Sequence, residues 1–105
     1  MTARTAMDPA RMRAEADRIS AALRLLAHPD RMLLLCNLSQ REMCVSELEE
    51  ELGLHQPSLS QQLGVLRNEG VVATRKEGKN VFYKVADPAL TQILAALYRT
   101  YCSKE

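Results

Sequence analysis

The chain has 105 residues, a length that fits one domain with one hydrophobic core and excludes a second catalytic lobe. Hydrophobic residues make up 47% and charged residues 26%, which excludes a disordered tail, and the scarcity of aromatic residues favours packed helices. The net charge of +1 conceals an asymmetry, because residues 40–54 carry five Glu against one Arg, whereas residues 55–85 carry five Arg or Lys against two Glu.

Helix-start signals and apolar periodicity predict two helices in the first part of the chain. Asp8-Pro9 places an N-cap residue before a proline suited to the first turn, and apolar or small residues follow at helical spacing to about Ala27. Pro29 opens a second helix that reaches about Leu38 and is apolar on nearly every side. We therefore expect the second helix to be central and buried, and residues 1–8 of the single domain 1–105 to be flexible.

The middle of the chain has the pattern of two helices joined by a short turn. Ser46 and Glu49 have capping-box spacing and predict the start of a third helix, which Gly53 ends as a natural C-cap. A fourth helix is predicted over residues 57–68, with three leucines facing inward and Ser and Gln facing outward. This arrangement is typical of a DNA-reading helix-turn-helix.

The last third of the sequence predicts a basic hairpin and a final helix. Residues 71–75 and 81–85 are rich in β-formers, and residues 77–80 between them supply the Gly and Asn that a hairpin loop needs. Asp87-Pro88 repeats the N-cap and proline signal, and an apolar stripe follows to Tyr101. The expected fold class is mainly α with a small β-hairpin, a winged helix-turn-helix.

Polar residues of the turn and fourth helix are candidate base contacts, because amides and hydroxyls hydrogen-bond to base edges. They are Gln56, Ser58, Ser60, Gln61 and Gln62. Long cationic side chains near the hairpin tip are candidate contacts to the DNA backbone or the minor groove, because they neutralise phosphates or enter that groove. They are Arg75, Lys76 and Lys79. Each feature alone also fits a merely solvated surface, but together they predict binding to double-stranded DNA.

The two terminal helices carry more apolar surface than a small helical core can cover. We therefore expect a homodimer formed through the terminal helices. A two-fold dimer places two reading helices on successive major-groove faces, which predicts an inverted-repeat operator.

The sequence argues against a membrane, a secreted or an enzymatic role. No segment approaches the ~18 uncharged apolar residues that a membrane span needs, and the three cysteines, an odd number, favour a reducing compartment. No Gly-rich phosphate loop and no plausible Ser-His-acid set occurs, so we expect a cytoplasmic protein that is not an enzyme and needs no cofactor. A protein-interaction module without DNA and a thiol-dependent enzyme are the competing hypotheses from other classes.

Three runs of this sequence resemble the ArsR/SmtB family of winged-helix repressors. They are Leu-Ala-His-Pro-Asp-Arg at 26–31, Val-Ser-Glu-Leu at 45–48 and Gln-Pro-Ser-Leu-Ser-Gln-Gln-Leu-Gly-Val-Leu-Arg at 56–67. The resemblance extends over roughly residues 15–102. It implies a dimeric repressor that metals or thiol oxidants release from operator DNA.

Within that family, the surroundings of Cys36 and Cys102 resemble the dithiol subgroup that senses reactive sulfur and oxidants, the BigR, SqrR and HlyU subgroup. The resemblance implies that Cys36 and Cys102 are redox-sensing residues. A persulfide or oxidant inducer would link them through a disulfide or polysulfide bridge, which biases the dimer against DNA.

Cys44 carries the alternative hypothesis, an arsenite- or soft-metal-responsive repressor that uses Cys44 with other thiols. Residues 42–48, Glu-Met-Cys-Val-Ser-Glu-Leu, resemble the motif of thiophilic-metal members, but Ser46 stands where the second thiolate is needed. Soft metal ions prefer three or four soft ligands, so sulfur sensing ranks above metal sensing and no metal site is assigned. A zinc site on the last helix is not expected, because residues 88–105 contain no His and one acid, Glu105.

Overall fold

The computed structural model describes residues 8–102, the last of them by its backbone alone. The helices are α1 (Pro9–Leu26), α2 (Pro29–Leu38), α3 (Val45–Leu52), α4 (Ser58–Asn68) and α5 (Pro88–Leu97), and the strands are β1 (Met43–Cys44), β2 (Val72–Glu77) and β3 (Asn80–Val85). A π-helical turn, Tyr98–Cys102, continues α5, where the sequence predicted one regular helix. None of the helices in this part of the chain is long and apolar enough to cross a membrane.

The N-terminus of α1 begins as predicted. The Asp8 carboxylate accepts a hydrogen bond from the Arg11 backbone N–H at 3.2 Å, and Pro9 occupies the first turn. Asp8 is therefore an ordered cap in the structure. The flexibility expected for the rest of 1–8 concerns residues outside those described.

The hairpin prediction is confirmed but incomplete, because the sheet has three strands in the order β1-β3-β2, all antiparallel. Gly78, with φ of 63°, and Lys79 form the turn between β2 and β3. Strand β1 lies in the segment that the sequence predicted as a plain connection, and it pairs Met43 with Tyr83 and Cys44 with Phe82. Two residues are too few to show alternation, so only the pairing with β3 identifies this strand.

The predicted start of α3 at Ser46 is wrong. The N-cap is Cys44, and the Glu47 carboxylate accepts a hydrogen bond from the Cys44 backbone N–H at 3.0 Å. The capping box is thus formed by Cys44 and Glu47, not by Ser46 and Glu49. The reason is that β1 ends at Cys44 and leads directly into the helix, so Ser46 already lies within the first turn.

The core is formed by leucines of α2, α3, α4 and α5 together with valines of the sheet. Its most enclosed side chains include Leu34, Leu35, Leu48, Leu59, Leu63, Leu66, Leu90 and Leu94. Helix α2 is central, as expected, but its Met32 and Leu33 remain exposed. Gly53 ends α3 in the left-handed conformation, with φ of 69°, which confirms it as the C-cap.

Candidate DNA-binding surface and cysteine sites

Helix α4 separates a packing side from a polar side. Leu59, Leu63 and Leu66 are buried at spacings of four and three residues, which places them on one face of a helix with about 3.6 residues per turn. Ser58, Ser60 and Gln61 lie on the other faces and are exposed, as the sequence predicted. Their hydroxyl and amide groups form a short, uncharged polar surface.

The other two candidate base contacts are engaged within the protein. The Gln56 Oε1 atom accepts a hydrogen bond from the Ser60 backbone N–H at 3.1 Å and so caps the start of α4. The Gln62 Oε1 atom accepts a hydrogen bond from Arg31 Nε at 2.7 Å, and this contact is half-buried between α4 and α2. Sequence spacing did not reveal the partner of Gln62, because this contact joins residues 31 positions apart.

The wing, strands β2 and β3, divides its three candidate cations into two kinds. All three are exposed, with Lys76 and Lys79 nearest its tip. Arg75 instead donates hydrogen bonds from Nε to Glu42 Oε1 at 2.8 Å and from Nη1 to Glu77 Oε1 at 2.7 Å. These hydrogen bonds, to Glu77 first and Glu42 second, raise the pKa of Arg75 above its ordinary value.

A second ion pair that sequence spacing did not reveal joins the two terminal helices. Arg18 Nη1 on α1 lies 2.6 Å from an Asp87 carboxylate oxygen at the N-cap of α5. The hydrogen bond from Arg18 lowers the pKa of Asp87 below its ordinary value. Both residues line a cavity of about 280 Å³ between α1, the start of α5 and residues 69–71.

The cysteines occupy three different positions. Cys36 is 2% exposed in the core side of α2, and Cys44 is 7% exposed at the end of β1. The backbone of Cys102 ends the π-helical turn that continues α5, and α2 packs against α5. The side chain of Cys102 lies outside the described residues, so the relation between its thiol and Cys36 stays a prediction.

The surroundings of Cys44 are those of a helix cap. Its Sγ atom lies 3.3 Å from Ser46 Oγ, and its backbone N–H is the main cause of a pKa of Glu47 below the ordinary value. No group of three or more His, Cys, Asp or Glu that could hold a metal ion occurs in the part of the chain that the structure describes. Within that part, Cys44 does not belong to a set of three or four such ligands, which is what arsenite or a soft metal needs.

The sequence is similar to bacterial regulatory proteins. The family described as bacterial regulatory protein, arsR family, matches residues 28–74. The biofilm growth-associated repressor of Agrobacterium fabrum strain C58 is 46% identical over 94 residues, which cover 90% of this chain and 80% of the relative.

Two solved structures share the fold. The transcriptional repressor BigR from Xylella fastidiosa is 41% identical, with a TM-score of 0.79 over 93% of this chain and 100% of that one. Reduced HlyU from Vibrio cholerae N16961 is 35% identical, with a TM-score of 0.80 over 89% of this chain and 98% of that one. With its helix-turn-helix and wing, the chain belongs to the ArsR family of bacterial regulatory proteins and is a transcriptional regulator, not an enzyme.

Proposed function

We propose that this one-domain protein is a homodimeric repressor that binds an inverted-repeat operator and is released by reactive sulfur species or oxidants through Cys36 and Cys102. The observation that carries the DNA-binding part is the exposed polar surface of α4 beside the lysines of the wing. The similarity to the repressors BigR and biofilm growth-associated repressor supports the direction of regulation.

In this proposal the exposed residues of α4 read base edges. Ser58, Ser60 and Gln61 are short or flexible polar residues on a helix of a size that fits the major groove. Gln56 and Gln62 act as positioning residues, because one caps α4 and the other fixes it to α2.

The wing supplies contacts that do not depend on sequence. Lys76 and Lys79 carry exposed ammonium groups that can neutralise DNA phosphates next to the site read by α4. The surface charge is arranged for this role, since the acidic residues concentrate on α3 and the basic ones on the segment after it.

Dimerisation through the terminal helices is supported by apolar residues that α1 leaves exposed. Met12 is 54% exposed and Leu23 is 44% exposed, and their spacing of eleven residues places them on one face of the helix. Tyr101, after α5, is 79% exposed. A partner protomer that covers these side chains would remove apolar surface from water, which is the main driving force of association.

The thiol switch follows from ordinary persulfide chemistry. The thiolate of one cysteine attacks the sulfane sulfur of a persulfide, RSSH, and becomes a protein persulfide while RSH leaves. The second thiolate attacks the sulfur bound to the protein and expels hydrogen sulfide, which forms the disulfide; two protein persulfides would form a trisulfide and release hydrogen sulfide in the same way. Helix α2 carries Cys36 and contacts α4 through Arg31 and Gln62, so a strained bridge acts on an element attached to the reading helix.

The experiment begins with selection of bound duplexes from a random-sequence pool under reducing conditions, because the operator is defined by what the protein retains. Fluorescence anisotropy on the selected duplex then follows release by glutathione persulfide, hydrogen peroxide and arsenite, and mass spectrometry of digested protein identifies the linked residues. A Cys36 to Cys102 crosslink that accompanies release supports the proposal.

Variants separate the roles of the thiols. Cys36→Ser and Cys102→Ser should bind the duplex and lose release, whereas Cys44→Ser, a matched thiol control, should bind and release as the wild type does. Normal release from both of the first two variants would refute the switch. Release by arsenite alone, lost in Cys44→Ser, would replace it with the soft-metal hypothesis.

A further inference from the structure

Arg75 spans the whole width of the sheet. It lies on the edge strand β2 directly opposite Phe82 of the central strand β3, and its guanidinium carbon is 4.8 Å from the centre of the Phe82 ring. Beyond Phe82 it reaches Glu42, which immediately precedes β1 on the far side of the sheet. Adjacent strands lie about 4.8 Å apart, so a side chain of this length is needed to connect the two outer strands.

Glu77 completes the set, which we name the Arg75 cluster: Arg75, Glu42, Glu77 and Phe82. Glu77 is two residues from Arg75 on β2 and therefore on the same face of the sheet. The guanidinium group thus binds two carboxylates from different elements and stacks on an aromatic ring. An isolated exposed ion pair contributes little to stability. A guanidinium group held by two carboxylates and a ring, however, loses rotamer freedom, and the carboxylates cancel its net attraction for a further anion.

The net charge of the Arg75 cluster determines which cations of the wing are left to attract DNA phosphates. The cluster contains one cation and two carboxylates, so Arg75 adds no positive charge to the wing surface, and the exposed cations nearest the tip are Lys76 and Lys79. A DNA phosphate that approached Arg75 would have to displace a carboxylate and would meet the repulsion of the other.

We propose that Glu42 and Glu77 hold Arg75 away from DNA phosphates and leave phosphate contact at the wing tip to Lys76 and Lys79. The cluster limits the affinity of the protein for DNA, and it also fixes the wing to the start of α3 through the segment that carries Glu42. The inference deepens the proposed function and rests on it, because its readout is binding to the selected duplex.

The test uses the salt dependence of DNA affinity, which counts phosphate contacts at a slope of about 0.9 for each. Arg75→Gln in the otherwise unchanged protein should leave the slope as it is, whereas Lys76→Ala should reduce it by about 1.8, since one phosphate contact is lost in each protomer of the dimer. The double variant Glu42→Gln/Glu77→Gln should release Arg75 in both protomers and steepen the slope by about 1.8, which is about 12-fold more loss of affinity between about 50 and 200 mM salt.

Two controls distinguish a new contact from a general change of charge. Adding Arg75→Gln to the double variant should restore the original slope. Glu50→Gln/Glu51→Gln on α3 removes the same number of exposed carboxylates without touching Arg75 and should leave the slope unchanged. Circular dichroism on every variant reports whether the fold is intact, and the single variants Glu42→Gln and Glu77→Gln replace the double one if it unfolds.

Several outcomes overturn the inference. If Arg75→Gln alone lowers the slope as Lys76→Ala does, Arg75 already contacts phosphate. If the steeper slope of the double variant persists after Arg75→Gln, the effect is general electrostatics. If the wild type selects no duplex at all, the proposed function fails first, and this result is distinct because it precedes any comparison of variants.

Discussion

Helix α4 should allow its packing role and its reading role to be separated by two substitutions only two positions apart. Leu63 is 1% exposed and faces the core, whereas Gln61 is exposed on another face of the same helix. We expect Leu63→Ala to destabilise the fold and Gln61→Ala to weaken DNA binding without destabilising it.

The magnitude for Leu63→Ala follows from its complete burial. Truncation of a fully enclosed leucine removes its transfer free energy and leaves a cavity, at a combined cost of about 3 kcal/mol. For a domain of this size each kcal/mol lowers the Tm by about 4–8 °C, so a decrease of about 12–24 °C is expected. Because side chains of Leu59 and Leu66 lie on the same face, partial collapse of the site would place the result near the lower end of this range.

Gln61→Ala has the opposite signature. A surface substitution away from caps and networks changes the free energy of unfolding by no more than about 0.5 kcal/mol. Loss of a bidentate amide contact to a base costs about 1–3 kcal/mol, or about 5- to 150-fold in DNA affinity, and should do so in the reduced and the oxidised protein.

Urea denaturation followed by circular dichroism measures the first effect, and fluorescence anisotropy with the selected duplex at fixed salt measures the second. All proteins are compared at one protomer concentration, because association of protomers raises the apparent stability. A Leu63→Ala variant that loses less than about 1 kcal/mol would refute the packing argument. A Gln61→Ala variant with unchanged affinity would remove Gln61 from the reading surface.

Three further predictions concern caps and thiols. Gly53→Ala should lower the free energy of unfolding by about 1 kcal/mol, because φ is 69° at this position although the site has open space. Gly64→Ala inside α4 should raise the free energy of unfolding by about 0.5–1 kcal/mol, and a change of the same sign in both variants would contradict the C-cap role of Gly53. Glu47→Gln should lower stability at neutral pH, and its difference from wild type should shrink as the pH falls below 4.5. The lowered pKa of Glu47 stabilises the folded protein above the ordinary value of 4.5, and this stabilisation is lost on protonation; Glu50→Gln, measured in parallel, should show no such trend. Cys44→Ser should retain the thermal stability of the wild type, since hydroxyl side chains are good N-caps, and a large loss would assign the Cys44 thiol more than a capping role.

Most helices and their ends were predictable because the signals that set them are local. Pro9 and Pro29 open helices at the positions that the sequence indicated, and Gly53 ends one, since proline fixes φ and glycine accepts a positive φ at no steric cost. The spacing of the leucines in α4 also identified its buried side correctly. Each of these signals involves residues within one or two turns of each other.

Features that depend on residues far apart in the chain were decided by the tertiary structure. Strand β1 exists because β3 offers it an edge, and that pairing moves the cap of α3 from Ser46 to Cys44. Arg75 and Gln62 are predicted DNA contacts by type and position, and in the structure Arg75 Nε and Gln62 Oε1 form hydrogen bonds with partners 33 and 31 residues away. Residue type determines what a side chain is able to bind, whereas the packing of distant segments determines which groups lie close enough to bind it.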